Sequence, residues 1–177
     1  MVRRILFTAC IVLGLVAGAF AQMPTGLQAD LVGQIKDAET KFLALADAMT
    51  QEQYAWRPAE GVRSVGEVYV HIAVANINIL KMIGAQPPMA VDRGMEKSVT
   101  DKTKIIEMLK KSFQHAKDVV SKVSDEDLAK AVKMFGQDAT YRAVIVLVAT
   151  HVHEHLGQSI AYARTNNVVP PWSRGGM

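Results

Sequence analysis

Three of the chain's five histidines, His151, His153 and His155, fall within a stretch of five residues. Imidazole is a neutral nitrogen donor, a proton carrier and a common metal ligand near pH 7. Spacing decides which of these roles is open to each ring. Val144, Val148, His151, His155, Gln158 and Tyr162 recur at intervals of four and three, the pattern of one face of an α-helix. His151 and His155 sit on adjacent turns of that face, with Cβ atoms about 5–6 Å apart, so both rings can converge on one ion. His153 is two residues from each and points to the opposite face, which excludes it as a ligand. Gln158, one turn beyond His155, could orient a ligand or a substrate. Glu154 is directed away from the histidine face, and Tyr162 is on the right face but one turn too far along.

A third imidazole is available from an earlier helix. Val68, His71, Ala75, Asn78 and Met82 share one face by the same rule, so His71 would complete a three-histidine set. Three neutral nitrogens leave coordination positions open for water or substrate, as in catalytic rather than structural zinc sites. The spacing also fits buried histidines that hydrogen-bond to each other or to a tyrosine. Three buried imidazoles with no shared partner would be costly, which favours a common ion. Glu67 lies four residues before His71 and could support it, although a capping role explains Glu67 more simply. His115 falls on the polar side of its helix and is expected to be solvated. Trp56 and Trp172 are expected to be packing residues.

The elements that must position these rings read as helices. Leu27, Leu31, Ile35, Ala38, Phe42, Leu45 and Met49 form one apolar stripe, which ends before Trp56-Arg57-Pro58 because proline disfavours helix in the residue preceding it. Ser64-Val65-Gly66-Glu67 is a capping box, opening a helix to about Ile83, where Gly84 is a natural stop. Gly84 to Thr100 is a connection of about 17 residues, long for a bundle loop. It can cross the bundle and let the next helix run parallel to the last. That helix begins near Asp101 with Ile106, Leu109, Phe113, Ala116, Val120 and Val123 inward. Ser124 caps a short helical turn that Gly136 breaks, and Thr140 caps a last helix over 141–165. No strand alternation or internal repeat is evident. The expected fold is all-α, a four-helix bundle with a long crossover between helices two and three. A three-helix bundle with one long loop is the lesser alternative.

Composition narrows the class. Of 177 residues, 50% are hydrophobic and 21% charged, which provides for a buried core and excludes wholesale disorder. Six prolines and 12 glycines exclude a collagen-like chain. Cys10 is the sole cysteine, so neither an intrachain disulfide nor a cysteine-based metal cluster can form. Arg3-Arg4, the apolar run Ile5 to Phe20 and Ala19-Phe20-Ala21 follow the order of a secretory signal peptide. The run is shorter than the roughly 20 residues of a membrane span. Residues 1–21 are thus expected to be cleaved, leaving one domain over 22–177 in an exported, periplasmic or secreted protein. Cleavage removes two arginines and no acid, so much of the formal charge of +3 belongs to the leader. No basic cluster interleaved with aromatics follows it, and nucleic acid is not an expected partner.

Trp56-Arg57-Pro58, then Arg63-Ser64-Val65-Gly66-Glu67 with His71 four residues later, and finally His151-x-x-x-His155-x-Gly157-Gln158, together resemble the signatures of the DinB/YfiT-like superfamily over essentially the whole mature chain. The resemblance implies a four-helix bundle with a long crossover. It also implies a divalent metal, zinc or nickel, held by His71, His151 and His155. Characterised relatives are metal-dependent enzymes that act with low-molecular-weight thiols, including bacillithiol S-transferases and mycothiol-dependent maleylpyruvate isomerases. Those thiols are chiefly cytosolic, whereas this chain carries an export signal, so the thiol-transferase activity does not transfer with the fold.

The resulting expectations are an exported metal-dependent transferase or hydrolase acting on a small molecule, or a metal-containing protein that binds a small molecule or stress product without turnover. An inert bundle with structural histidines is the third. A homodimer is expected by analogy alone. Sequencing the N-terminus of protein taken from its secretory route should find Gln22. Recovery of residues 1–21 in a membrane fraction would identify the segment as an anchor instead.

Overall fold

The computed structural model describes residues 26–173; the leader and Cys10 lie outside them. Four long helices carry the fold: α1 (Leu27–Ala48), α2 (Val65–Lys81), α4 (Lys102–Lys122) and α5 (Tyr141–Thr165). A single-turn helix, α3 (Met95–Ser98), lies in the crossover. Strands β1 (Ala131–Met134) and β2 (Gln137–Thr140) form a hairpin before α5.

The helix starts are set by side chains that satisfy the free N–H groups of the first turn. Ser64 Oγ accepts from Glu67 N at 3.2 Å, and Glu67 Oε2 accepts from Ser64 N at 2.8 Å, the reciprocal bonds of a capping box. Asp101 and Thr140 cap α4 and α5 in the same manner, accepting from Lys104 N and Ala143 N. Gly66 has a different function. A Cβ there would stand 3.2 Å from Tyr54 O and 3.4 Å from Ile105 Cδ1, so its absence lets the start of α2 lie against the start of α4.

That contact makes α2 and α4 parallel. Gln28 at the head of α1 donates to Val123 O at the foot of α4, and Lys102 at the head of α4 donates to Met49 O after α1, so α1 and α4 are antiparallel. Gln53, just beyond α1, donates to Asn166 O at the end of α5, so those two helices run in one direction. The order is up, down, down, up, and the 84–100 crossover makes the parallel step. Each of α1 and α2 packs on both α4 and α5. Phe42 meets Tyr69 edge-on at 6.2 Å and Phe113 at 5.7 Å, joining α1, α2 and α4 through rings that are fully buried. Each such side chain contributes about 1.5–3 kcal/mol by leaving water. Among the described residues, no helix is long and apolar enough to cross a membrane.

Three local expectations are corrected. Ser124 Oγ does accept from Asp127 N at the start of the Asp127–Ala129 turn, but residues 131–140 form an antiparallel hairpin with Met134 opposite Gln137. Phe135 and Gly136 both have positive φ, 51° and 84°, as a type I′ turn requires, so Gly136 is a hairpin turn and not a helix break. β1 alternates in burial, but four residues are too short a run to mark a strand in the sequence. The second correction is His115, which is half-buried with Nε2 enclosed and unpartnered, because it borders the buried Ser112, Phe113 and Ala116. Burial lowers its pKa, with Asp118 opposing. Trp56 packs edge-on against Tyr162 at 5.3 Å, while Trp172 is 40% exposed and is no core residue.

Candidate metal centre

The fold brings His71 of α2 to His151 and His155 of α5. One ring nitrogen from each can be chosen so that all lie within 4.8 Å of one another. His71 Nε2 and His151 Nε2 are 3.3 Å apart. Two nitrogens on one tetrahedral ion, each at about 2.0–2.1 Å, would be separated by roughly that distance. All three rings are partly exposed, as are Ala75, Asn78 and Met82 on the same face of α2. This face borders a cleft and is not part of the sealed core; α2 buries its other sides, including Ile72, Ile77 and Leu80.

The outer nitrogens determine which way the lone pairs point. His71 Nδ1 lies 2.7 Å from Glu96 Oε1 and His155 Nδ1 lies 2.7 Å from Gln158 Oε1. Each oxygen accepts, so each Nδ1 carries the proton and each Nε2 presents a lone pair, the tautomer a metal requires. Gln158 Nε2 in turn donates to Tyr162 Oη at 3.0 Å, and Trp56 packs on that ring. Gln158 therefore orients His155, and Tyr162 acts through Gln158. His151 Nδ1 is buried with no hydrogen-bond partner. His153 Nδ1 donates to Ala149 O at 2.7 Å and stays outside the cluster.

Glu67 does not support His71. It bonds Ser64 and accepts from Arg57 Nη2 at 3.0 Å, because the capping box turns its carboxylate toward the helix start. The group on His71 is Glu96, which the sequence reading passed over. It sits on α3, and Arg63 Nε donates to its Oε2 at 2.7 Å. Burial pushes the Glu96 carboxyl up, but hydrogen bonds from Arg63 and His71 outweigh it and hold the group below the usual range. The one available signal was the length of the 84–100 connection, since long ordered loops commonly carry function.

Burial pushes His151 down from 6.5 to about 4, with the neighbouring His155, His71 and Arg63 adding to the effect. Burial also lowers His71, against the opposing pull of Glu96. Neutral rings are what metal binding requires. Two clefts flank the cluster. One, of about 500 Å³, is bordered by His71, His151, Arg63 and Glu96 with apolar walls. The other, of about 580 Å³, is bordered by Arg57, Arg63, Lys97, Glu67, Glu96 and Gln158.

Residues 34–159 match the family model of the DinB superfamily. The chain belongs to the DinB superfamily. The match includes all three histidines, the crossover and Gln158. The solved structure of a DinB-like protein from Bacillus cereus ATCC 10987 is similar at 20% identity, with a TM-score of 0.70 over 80% of this chain and 93% of that one. A DinB-like protein from Bacillus subtilis is similar at 20% identity, with a TM-score of 0.64 over 84% of this chain and 99% of that one. These two likenesses establish the DinB fold. No curated protein matches the chain.

The depressed His151 value has a consequence for stability. The unfolded ring takes up a proton near pH 6.5, whereas the folded ring resists down to about pH 4. Between these values the unfolded state binds more protons, so stability rises with pH and is lost as pH is lowered from about 6.5 to about 4. Thermal melts in excess chelator should show the midpoint falling as pH is lowered through this window, with a shallower fall for His151→Asn. Equal slopes for the two proteins would show that the ring is not held neutral.

Proposed function

We propose that this chain is an exported metal-dependent enzyme of the transferase or hydrolase class, with a divalent ion held by His71, His151 and His155. The observation that carries the reading is the convergence of three half-buried imidazole nitrogens, two of them backed by acceptors that leave Nε2 free to ligate. All-nitrogen donors of this kind suit zinc or nickel. Such an ion would supply Lewis acidity, making a thiol or water acidic enough to lose its proton near neutral pH.

The chain's own residues perform the remaining tasks. Glu96 and Gln158 hold two of the rings in orientation, and Arg63 keeps Glu96 ionised and in place. The apolar-walled cleft gives a small molecule access to His71 and His151, and the second cleft lies across the Arg63–Glu96 pair, beside Gln158. Glu96 is the one carboxylate among the described residues bordering the cleft that contains His71, and its bonds to Arg63 and His71 make it a poor base. A thiol, with an ordinary pKa near 8.5, needs less help than water to lose a proton to solvent. A thiol is thus the easier of the two nucleophiles for this site to activate, and transferase and hydrolase both stay within the proposal. The lack of a free base also supports a second reading, a metal-containing protein that binds its small molecule without turnover. Export rests on the N-terminal pattern of residues 1–21.

Elemental analysis of untagged protein should find one equivalent of zinc or nickel. His71→Ala, His151→Ala and His155→Ala should each lose most of it, because two imidazoles hold a divalent ion far more weakly than three. His153→Ala should retain it. Equal loss in all four variants, or no metal in the parent, would overturn the assignment.

A further inference from the structure

The cleft beside His71 and His151 has features that the histidines do not explain. Its wall is apolar, with Val74, Ile79 and Met82 near α2's face and Leu147 from α5, and two arginines, Arg63 and Arg93, border it. Glu96 neutralises Arg63. Arg93 has no carboxylate partner among the described residues. An uncompensated guanidinium therefore stands at the edge of an apolar surface, independently of any ion at the histidines. Guanidinium is the side chain best matched to a carboxylate, sulfonate or phosphate.

Phe135 adds an independent observation. It borders the same cleft, is 72% exposed and holds φ at 51°. A bulky side chain in the left-handed region is an outlier, and the first central position of a type I′ turn ordinarily takes Asn, Asp or Gly. The turn thus tolerates an unfavourable residue that also presents a large apolar ring to water. A local rule broken in this way is expected where function requires it. The other cleft, bordered by Arg57, Lys97, Glu67 and Gln158, has no comparable apolar wall.

We propose that the Phe135 cleft binds a small amphipathic anion. Its acidic group is held by Arg93, its apolar or aromatic body lies along the wall between α2 and α5, and the Phe135 ring covers it. This names the substrate class of the site proposed above and rests on that reading only in treating the cleft as the approach to the histidines. The binding itself needs no ion.

Isothermal titration with 4-phenylbutanoate, its neutral amide and the cationic 4-phenylbutylamine tests it, using protein in excess chelator and zinc-loaded protein. Chelated wild type should favour the acid over the amide by about tenfold, the scale of one charge-assisted pair, and bind the amine most weakly. Arg93→Ala should erase the acid's advantage and leave the amide unchanged. Phe135→Asn should weaken acid and amide alike by about threefold or more, as loss of an aromatic contact does. Its melting temperature should hold or rise, because Asn suits the turn. His71→Ala should keep the acid preference. No acid preference in chelated wild type, or its survival in Arg93→Ala, overturns the proposal. Acid binding that needs zinc and vanishes in His71→Ala would place the acid on the ion, overturning the arginine assignment while sustaining the metal site. Acid preference in a protein that takes up no zinc would sustain the cleft and sink the metal reading.

Discussion

Three imidazole rings from two helices converge in a space where burial disfavours a proton on His71 and on His151. His151 feels this most, with its pKa pushed to about 4. His71 and His151 are therefore held neutral near pH 7, and rings facing one another need their lone pairs and N–H groups assigned. Glu96 and Gln158 make that assignment by accepting from the outer nitrogens of His71 and His155. Much of the surrounding architecture follows. The crossover must bring α3 over the head of α2 so that Glu96 reaches His71, and Arg63, just before the Ser64 cap, must hold Glu96. Tyr162 and Trp56 must back Gln158. The parallel step between α2 and α4, which Gly66 permits by close approach, leaves the crossover free to lie over the histidines.

The regular parts of this arrangement were legible in the residues. Helix starts at Ser64, Asp101 and Thr140 are visible because capping is local chemistry, read within four residues. The His151/His155 pair and the exclusion of His153 follow from helical period alone. Gln158 was legible for the same reason, being one turn from the ring it orients. Glu96 and Arg93 were not, because they reach the site through tertiary placement of an irregular connection in which no period marks a face. The hairpin was missed because its strands are short and the type I′ turn begins with Phe135, where the usual signal would be Asn or Asp. Glu67 was half legible: its capping bond excludes the alternative role beside His71 only once Arg57 is seen to take its other oxygen.

The site is asymmetric in a manner that bears on its chemistry. On one side of the Arg63–Glu96 pair the cleft is polar and rich in cationic side chains. On the other it is walled by aliphatic residues with Phe135 at the edge. The histidines themselves border the apolar-walled cleft, through His71 and His151, while the polar cleft meets the cluster only through Glu96 and Gln158. Glu96, the one carboxylate bordering the apolar-walled cleft among the described residues, is committed to Arg63 and His71.

The central claim is that one divalent ion ties α2 to α5 through His71, His151 and His155. An ion that binds only the folded chain raises stability by mass action, and it competes with protons for the same nitrogens. The most direct measurement is the melting temperature of zinc-loaded wild type and His71→Ala, with and without chelator, at pH 7.5 and pH 5. The account predicts that chelation lowers the wild-type midpoint at pH 7.5, that the gap narrows at pH 5, and that His71→Ala melts independently of chelator at both. A wild-type midpoint unchanged by chelation at pH 7.5 would contradict it and leave the histidines as structural groups.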